Sequence, residues 1–303
     1  MRTKKLIASY SSFLVCSFAL FLAVALPAQA YDRVYFPSLD GKTQLTAYIA
    51  KPEGAGPFPA VVLMHGCGGM HYSGNVSPLY ASWAKLFNDH GFATLTVDSA
   101  GPRNMGVSCG NREKRGRMYR ERPFDAYGAL EYLQSQNFIM PDKIGLVGWS
   151  QGGGTVLLTI VNESIARPNP APRYDFAAAA AFYPALCNDR LQSKPFTKVA
   201  PQSWSTNIPL FVLQGEADNW TRPEPCAQFI GEVKVRGNPV SIKLYPEAYH
   251  GFDAPGSRIR KLPQYTTTLG VIPIVGPNPV ARADARKRLP EFLKQYLSPE
   301  KGD

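Results

Sequence analysis

The segment Gly148-Trp149-Ser150-Gln151-Gly152-Gly153 has the residue types of a turn that presents a nucleophile. It contains the pattern G-x-S-x-G, follows the apolar run 144–147 and precedes a helical pattern. Ser150 is therefore predicted to lie on a sharp strand–turn–helix turn. Glycines suit such a turn because residues without a Cβ atom tolerate strained backbone and close neighbours. The helix that follows would direct backbone N–H groups toward negative charge developing on an oxygen atom.

A serine hydroxyl needs a base to become a nucleophile, and the base needs a group that orients it. Asp218 follows the apolar run 210–214, and His250 follows the apolar run 241–245. The chain order Ser, Asp, His is then complete, with each residue expected at the carboxyl end of a strand. We predict a catalytic triad of Ser150, Asp218 and His250.

The other histidines fit the role of base less well. His65 and His71 lie in a loop ahead of the nucleophile, and His90 lies at a helix end before a glycine. For the acid, Glu216 remains an alternative to Asp218, because both belong to the loop after the same strand. The base is thus assigned to one histidine, and the acid to one of two carboxylates.

The loop His65-Gly66-Cys67-Gly68-Gly69 follows the apolar run 60–64. A loop in this place can supply the second N–H group that binds an oxyanion, and glycines let its backbone approach a substrate. We predict that the backbone N–H groups of Cys67 and Gln151 form the oxyanion hole. The alternative is a tight turn around a buried His65.

Short apolar runs alternate with helical patterns along the chain, which is typical of a mainly parallel sheet with helices on both faces. Two runs that flank a turn signal predict an antiparallel hairpin at one edge, 33–38 and 44–50. Six runs with few charges predict buried strands at 60–64, 93–97, 144–149, 177–183, 210–214 and 241–245. Helices are predicted at 78–90, 123–136, 151–166, 223–235 and 281–296, several of them opening with proline. Two long segments are predicted to be loops around a pocket, 99–122 and 253–279.

The first thirty residues have the pattern of an export signal. Arg2, Lys4 and Lys5 precede an apolar run over 6–26, and Ala28-Gln29-Ala30 offers small residues for cleavage. We predict a signal peptide over 1–30 and one domain over 31–303, located in the periplasm or secreted. An uncleaved membrane anchor is the alternative, because the apolar run is about as long as a spanning helix.

Cleavage would leave 30 basic and 23 acidic residues, a net charge of +7. Many positive charges lie in residues 103–122 among Gly, Asn and Glu, which indicates a solvated loop rather than a nucleic-acid-binding face. The charge pattern therefore predicts no nucleic acid as partner and, after cleavage, no membrane; the partner expected for the predicted triad is a small-molecule substrate. The sequence does not indicate an oligomeric state.

Four cysteines remain after cleavage, and an oxidising compartment favours disulfides between them. Cys187 and Cys226 follow strands expected to be neighbours, as do Cys67 and Cys109. We predict these two pairings. No cysteines or histidines occur in pairs at zinc-ligand spacing, and the glycine run after Ser150 lacks the Lys and Ser or Thr of a phosphate-binding loop. No metal is expected.

The chain resembles the dienelactone hydrolase family over nearly all of the predicted mature length. The matching motifs are His65-Gly66-Cys67-Gly68-Gly69, Val97-Asp98-Ser99, Gly101-Pro102-Arg103, Gly148-Trp149-Ser150-Gln151-Gly152-Gly153, Gly215 with Asp218, and His250-Gly251-Phe252. The resemblance implies an α/β-hydrolase fold with an eight-stranded, mostly parallel sheet, no cofactor, and hydrolysis of a small ester or lactone. The namesake enzymes carry a cysteine nucleophile where this chain has Ser150, so its serine-bearing, exported relatives, similar to general carboxylesterases, are the better comparison.

Three residues are candidates for substrate binding. Trp149, beside the nucleophile, could line an acyl pocket or only pack in the elbow. Arg103 and Arg112 could hold a substrate carboxylate or belong to a solvated basic loop. Two other functions remain open, a peptidase of the prolyl-oligopeptidase type and a catalytically inactive binding protein on the same fold.

Overall fold

The computed structural model describes residues 31–298. Eight strands form one sheet, and they are β1 (Asp32–Pro37), β2 (Gln44–Ala50), β3 (Phe58–Met64), β4 (Ala93–Asp98), β5 (Ile139–Trp149), β6 (Ala178–Phe182), β7 (Leu210–Gly215) and β8 (Val240–Tyr245). Their order across the sheet is β1-β2-β4-β3-β5-β6-β7-β8. β1 pairs antiparallel with β2, and β2 antiparallel with β4. All the other pairings are parallel.

Five α-helices cover the two faces of the sheet, and they are α1 (Pro78–Asp89), α2 (Arg112–Gln134), α3 (Gln151–Ile160), α4 (Pro223–Val235) and α5 (Pro279–Leu297). Alternate residues of β3 point to opposite faces: Val62 packs in a cluster with residues of α2, α3 and α4, and Leu63 in a cluster with residues of α1 and α5. Central strands buried on both faces explain the apolar runs without alternation. The predicted mostly parallel eight-stranded sheet with helices on both faces is confirmed.

The prediction of a loop over 99–122 is wrong for its second half, because α2 begins at Arg112. Asn111 caps this helix by accepting a hydrogen bond from the Lys114 N–H at 2.9 Å. Pro123 lies inside the helix rather than at its first turn. A proline has no N–H group to donate to the carbonyl four residues earlier, so it is expected in the first turn of a helix, where no such bond is needed. For this reason the predicted start of the helix is eleven residues too late.

Two smaller differences concern the ends of elements. α3 ends at Ile160 instead of residue 166. The segment 253–279 contains a short antiparallel pair, Arg260–Lys261 with Ile274–Val275, between longer irregular stretches.

The predicted signal peptide lies outside the described residues. Within residues 31–298, no helix is both long enough and apolar enough to cross a membrane.

Candidate active site

Ser150 lies between the end of β5 and the start of α3, with φ of 54° and ψ of −112°. This backbone conformation is strained for a residue with a side chain, and the surrounding packing must hold it in place. A Cβ atom on Gly152 would clash with the carbonyl oxygens of Met64 and His65 at the end of β3. A Cβ atom on Gly148 would clash with the backbone of Gly152. The glycines therefore let α3 start directly against the sheet and present Ser150 at its edge.

The three predicted triad residues are in contact in series. Nε2 of His250 lies 3.0 Å from Oγ of Ser150, and Nδ1 of His250 lies 2.7 Å from Oδ2 of Asp218. The loops after β7 and β8 bring Asp218 and His250 to the same edge of the sheet as Ser150. Glu216, the alternative acid, is exposed and makes none of these contacts. Geometry therefore favours Asp218 over Glu216.

Backbone N–H groups and a hydroxyl hold the Asp218 carboxylate. Its Oδ1 accepts hydrogen bonds from the N–H groups of Trp220 (2.8 Å) and Thr221 (2.9 Å). The Thr221 hydroxyl lies 2.8 Å from the Asp218 Oδ2 atom and 3.0 Å from Nδ1 of His250. These bonds leave Oδ2 facing the imidazole, so His250 is held with Nδ1 toward the acid and Nε2 toward Ser150.

Two aromatic rings enclose the imidazole of His250. The ring centroid of Tyr183 lies 4.5 Å from it, and that of Trp220 lies 5.0 Å from it. His250 is 5% exposed. The packing restricts rotation of the ring and excludes most water from the contact with Asp218, which strengthens their electrostatic interaction.

The loop after β3 lies directly beside the nucleophile. A Cβ atom added to Gly66 would lie 3.5 Å from Cβ of Ser150. Cys67, Ser150 and Gln151 line the same cavity. The loop is also tied to its neighbour by the disulfide Cys67–Cys109 and by a 2.9 Å hydrogen bond from the Ser108 N–H to the Cys67 carbonyl. The two residues predicted to donate to an oxyanion thus flank Ser150.

His65 is a buried residue that joins two loops. The Ser99 N–H donates to Nε2 of His65 at 3.2 Å, so this nitrogen is the acceptor and Nδ1 carries the proton, 2.6 Å from the Gly66 carbonyl oxygen. Burial lowers the pKa of His65 well below its usual value, which keeps the ring neutral. His65 is therefore part of the scaffold of this loop.

Arg122 is a fully buried cation that contacts the loop after β3 and the start of α3, and no local sequence pattern indicated it. Its Nη2 donates to the carbonyl oxygen of His65 at 2.6 Å, and its Nη1 donates to Oε1 of Gln151 at 3.3 Å. Desolvation lowers the pKa of Arg122 to about 10, so the group is still charged near neutral pH. One side chain thus connects the loop after β3 to the first residue of α3.

The nucleophile opens into a cavity of about 1050 Å³. One wall is a face of α2, whose residues Arg112, Arg115, Gly116, Tyr119 and Arg120 recur at helical spacing. The lining also includes Trp220 and Tyr265, whose rings stack with centroids 5.6 Å apart.

The charged residues that line the cavity are mostly arginines. Arg222 adds a fourth arginine to the three on α2, and the lining contains a single acidic residue, Glu113. Within residues 31–298 these four arginines form no ion pair, so the cavity is strongly positive.

The expectation that Arg103 binds substrate needs correction. Its side chain is 2% exposed, with Nη2 lying 2.7 Å from Oδ1 of Asp125 and Nε lying 2.6 Å from Oε2 of Glu121. Both carboxylates belong to α2. The two carboxylates bind the guanidinium group of Arg103, and Arg103 does not line the cavity. Arg112, the second candidate, does line it.

Trp149 also lies away from the cavity, contrary to the acyl-pocket expectation. It is 1% exposed and stacks on Phe182 with ring centroids 5.3 Å apart. Its indole N–H donates to Oδ2 of Asp253 at 2.8 Å. Successive side chains of a strand point to opposite faces, so the residue before Ser150 points into the core. Trp149 packs in the elbow, as the alternative interpretation had it.

The disulfides have the two predicted pairings, Cys67–Cys109 and Cys187–Cys226. Cys67, Cys109 and Cys187 line the cavity. Cys67–Cys109 ties the loop after β3 to the segment just before α2, and Cys187–Cys226 ties the loop after β6 to α4.

The sheet order, the helices on both faces and the serine at the turn after β5 define this chain as an α/β-hydrolase. Residues 45–297 match the dienelactone hydrolase family, and the chain belongs to that family. The resemblance drawn from the motifs is confirmed. The chain is accordingly a hydrolase by family.

Several curated proteins are similar to this chain. It is 25% identical over 219 residues to the "Probable 2-oxo-3-(5-oxofuran-2-ylidene)propanoate lactonase" of Bradyrhizobium sp., a match that covers 70% of this chain and 80% of the lactonase. It is 24% identical over 253 residues to dipeptidyl aminopeptidase BIII of Pseudoxanthomonas mexicana, covering 73% of this chain and 35% of that protein. It is 32% identical over 132 residues to YtaP of Bacillus subtilis, covering 38% of this chain and 43% of YtaP. The chain thus spans less than half the length of the last two relatives.

Solved structures share the fold. Esterase 2 of Thermogutta terrifontis, phosphoramylated by tabun, superposes with a TM-score of 0.61 at 20% identity, covering 92% of this chain and all of the esterase. Its butyrate-bound form superposes with a TM-score of 0.62 at 20% identity, covering 90% of this chain and 97% of the esterase. At this identity the similarity establishes the fold alone.

Proposed function

We propose that this protein is a serine hydrolase that cleaves a carboxylic ester or lactone through an acyl-enzyme intermediate. The observation that carries the proposal is the unbroken series of contacts from Ser150 Oγ through the His250 imidazole to the Asp218 carboxylate, at 3.0 and 2.7 Å. Membership of the dienelactone hydrolase family supports it. The similarity to a lactonase over most of both chains also supports a lactone or ester substrate.

In the proposed reaction, Nε2 of His250 takes the proton of Ser150 as Oγ attacks the carbonyl carbon. Asp218 stabilises the imidazolium that forms, because its Oδ2 already accepts the hydrogen bond from Nδ1. The imidazolium then protonates the leaving alcohol oxygen. Water then gives a proton to the same imidazole and attacks the acyl carbon. The bond from that carbon to Ser150 Oγ breaks, the imidazolium returns the proton to Oγ, and the acid is released.

The oxyanion of each tetrahedral intermediate would bind the backbone N–H groups of Cys67 and Gln151. Gln151 is the first residue of α3, where N–H groups have no partner within the helix and the helix dipole favours negative charge. Such preorganised donors stabilise the transition state more than the ground state, and each is worth ~10²–10³ in rate.

The positive wall of the cavity favours an acidic substrate. Arg112, Arg115 and Arg120 face the space beside Ser150 from one side of α2 and have no carboxylate partner within the described residues. Guanidinium groups bind carboxylates through paired hydrogen bonds. We therefore propose an ester or lactone that carries a carboxylate or another anionic group away from the scissile bond.

A second candidate is a peptidase, because a dipeptidyl aminopeptidase matches 73% of this chain. The same nucleophile, base, acid and oxyanion donors are also used to cleave amide bonds. The remaining 65% of that relative's length lies outside the match. Activity of this chain on peptide amides above its activity on esters would favour this candidate.

We further propose that the protein works outside the cytoplasm, in the periplasm or secreted, as one domain over 31–303. The two disulfides support this, since disulfides form and persist in oxidising compartments.

The test is a screen of the protein without residues 1–30 against p-nitrophenyl esters, small lactones and aminoacyl amides, beside a Ser150→Ala variant. The proposal predicts ester or lactone turnover that disappears in the variant. Equal turnover by both proteins would contradict it, and so would amide turnover that exceeds ester turnover.

A further inference from the structure

Asp253 is a fully buried carboxylate that the proposed reaction does not use. It lies three residues after His250 and accepts hydrogen bonds from three neutral side chains. Its Oδ2 accepts from the indole N–H of Trp83 at 2.7 Å and from that of Trp149 at 2.8 Å. Its Oδ1 accepts from the hydroxyl of Tyr183 at 2.7 Å. Short bonds to an acceptor this deep are strong, and loss of the acceptor leaves buried donors unsatisfied.

The donors come from separate elements that surround the reacting groups. Trp149 is the residue before Ser150 at the end of β5, and Tyr183 follows β6 with its ring 4.5 Å from the His250 imidazole. The Thr221 hydroxyl, which lies against Asp218, is also 3.0 Å from the backbone carbonyl oxygen of Tyr183. Asp253 thus touches a neighbour of Ser150 and a neighbour of His250, and within the described residues it bonds none of the triad side chains.

Trp83 differs from the other two donors. It lies in α1 and packs on Phe87, Phe182 and Trp149, the last with ring centroids 6.1 Å apart. It neither adjoins a triad residue in sequence nor contacts His250. The carboxylate therefore has two donors that adjoin Ser150 or His250 and one that reaches them only by packing on Trp149. Phenylalanine at position 83 keeps an aromatic ring in this packing and removes only the indole N–H, so Trp83→Phe serves as the internal control.

We propose that Asp253 is a positioning residue, whose three hydrogen bonds set the relative placement of Ser150 and His250 through Trp149 and Tyr183. This inference rests on the proposed function of the same site. The role depends on the three hydrogen bonds that tie residue 253 to Trp83, Trp149 and Tyr183. Burial raises the pKa of Asp253, which weakens the case for a role based on its charge alone.

Asparagine separates hydrogen bonding from charge at this position. Its carbonyl oxygen can take the place of Oδ2 and accept from both indoles, and its amide can take the place of Oδ1 and donate to the Tyr183 oxygen. Asp253→Asn should therefore keep kcat within about threefold of the parent protein. Asp253→Ala removes all three bonds and should lower kcat by ~10²-fold with KM within about twofold, because displacement of reacting groups by about 1 Å has costs of that size.

A pair of single-bond variants tests the same idea without removing the carboxylate. Tyr183→Phe and Trp83→Phe each remove one donor to Asp253. Positioning predicts a fall in kcat of tenfold or more for Tyr183→Phe, with KM unchanged. It predicts kcat within about twofold of the parent for Trp83→Phe, although both variants melt at a lower temperature. This pair decides the question if Asp253→Ala fails to fold.

The measurement is kcat and KM for one p-nitrophenyl ester across the parent and these four variants, with melting temperatures to establish folding. Equal kcat for Tyr183→Phe and Trp83→Phe would overturn the inference, and so would an Asp253→Asn variant as impaired as Asp253→Ala. A parent protein that turns over no ester and no lactone counts against the proposed function itself. A parent that is active, with variants that match its kcat, counts against the role of Asp253 alone.

Discussion

The guanidinium of Arg122 donates a 2.6 Å hydrogen bond to the carbonyl oxygen of His65, entirely inside the protein. The same group reaches the Gln151 side chain at 3.3 Å. A cation buried in this way is uncommon and costs desolvation energy, which the fold must offset with specific partners. Its partners here are the two segments whose N–H groups are proposed to bind the oxyanion.

Replacement of Arg122 should therefore impair catalysis as well as stability. Arg122→Met fills similar space but leaves the His65 carbonyl unsatisfied, at a cost of about 1–3 kcal/mol in the free energy of unfolding. We expect kcat for ester hydrolysis to fall with little change in KM, measured alongside urea unfolding. Arg167→Met, which removes a partly exposed arginine paired with Asp175 on the scaffold, is the control and should leave kcat unchanged. An Arg122→Met variant with full kcat would show that the two loops need no such link.

A methyl group at Gly152 should disrupt the turn that carries Ser150. The added Cβ atom would clash with the carbonyl oxygens of Met64 and His65, so α3 must move away from the sheet. Gly152→Ala is expected to lose activity and to unfold at a lower temperature. Gly231→Ala is the matched control in α4, where a Cβ atom meets nothing within 4 Å. It should leave activity intact and raise stability by about 0.5–1 kcal/mol. Equal behaviour of the two variants would contradict this view of the turn.

The arginine face of α2 should select acidic substrates. The triple variant Arg112→Gln, Arg115→Gln and Arg120→Gln is expected to raise KM for an ester that bears a carboxylate and to leave a neutral ester of the same size unaffected. Added salt should weaken the preference of the parent protein, because exposed charges are screened. Arg117→Gln is the control, since Arg117 lies on the same helix, pairs with Glu121 at 2.6 Å and does not line the cavity. A KM for the acidic ester that is unchanged in the triple variant would exclude this role.

The two disulfides should contribute similarly to stability and differently to catalysis. Their sequence separations are 42 and 39 residues, so each restricts the unfolded chain to a similar extent and is worth about 2–4 kcal/mol. We expect the double variants Cys67→Ala with Cys109→Ala and Cys187→Ala with Cys226→Ala to lose comparable melting temperature. Only the first pair fixes the loop proposed to donate to the oxyanion, so only its removal should lower kcat substantially. If loss of the Cys187–Cys226 disulfide lowered kcat more than loss of Cys67–Cys109, the result would contradict an oxyanion donor at Cys67.

The sequence was sufficient to predict the sheet, its hairpin edge and the convergence of Ser150, Asp218 and His250, because each triad residue comes shortly after an apolar strand. The strand before His250 was predicted to be buried, but it is β8 at the edge of the sheet, where most of its residues are only partly buried. The start of α2 was missed because Pro123 has the appearance of a first-turn residue. The Asn111 cap, with Glu113 in the first turn, was the signal that could have found it. That error hid the helical spacing of the cavity arginines.

Other features depend on long-range packing that no local pattern contains. The sequence gives no reason to distinguish Arg103 from Arg112 as a substrate-binding residue. Only the fold shows that Arg103 is buried against Asp125 and Glu121. Asp253 meets Trp83 across 170 positions of the chain. A polar residue directly after His250-Gly251-Phe252 was a weak hint of such a contact.

The most direct test of the proposed chemistry is the rate of labelling by a fluorophosphonate, followed by mass spectrometry of the labelled peptide. The proposal predicts one adduct per chain, on Ser150, and a labelling rate that falls by at least 10²-fold in His250→Ala because the hydroxyl then has no base. An adduct on another residue, or equal labelling rates with and without the imidazole, would contradict it.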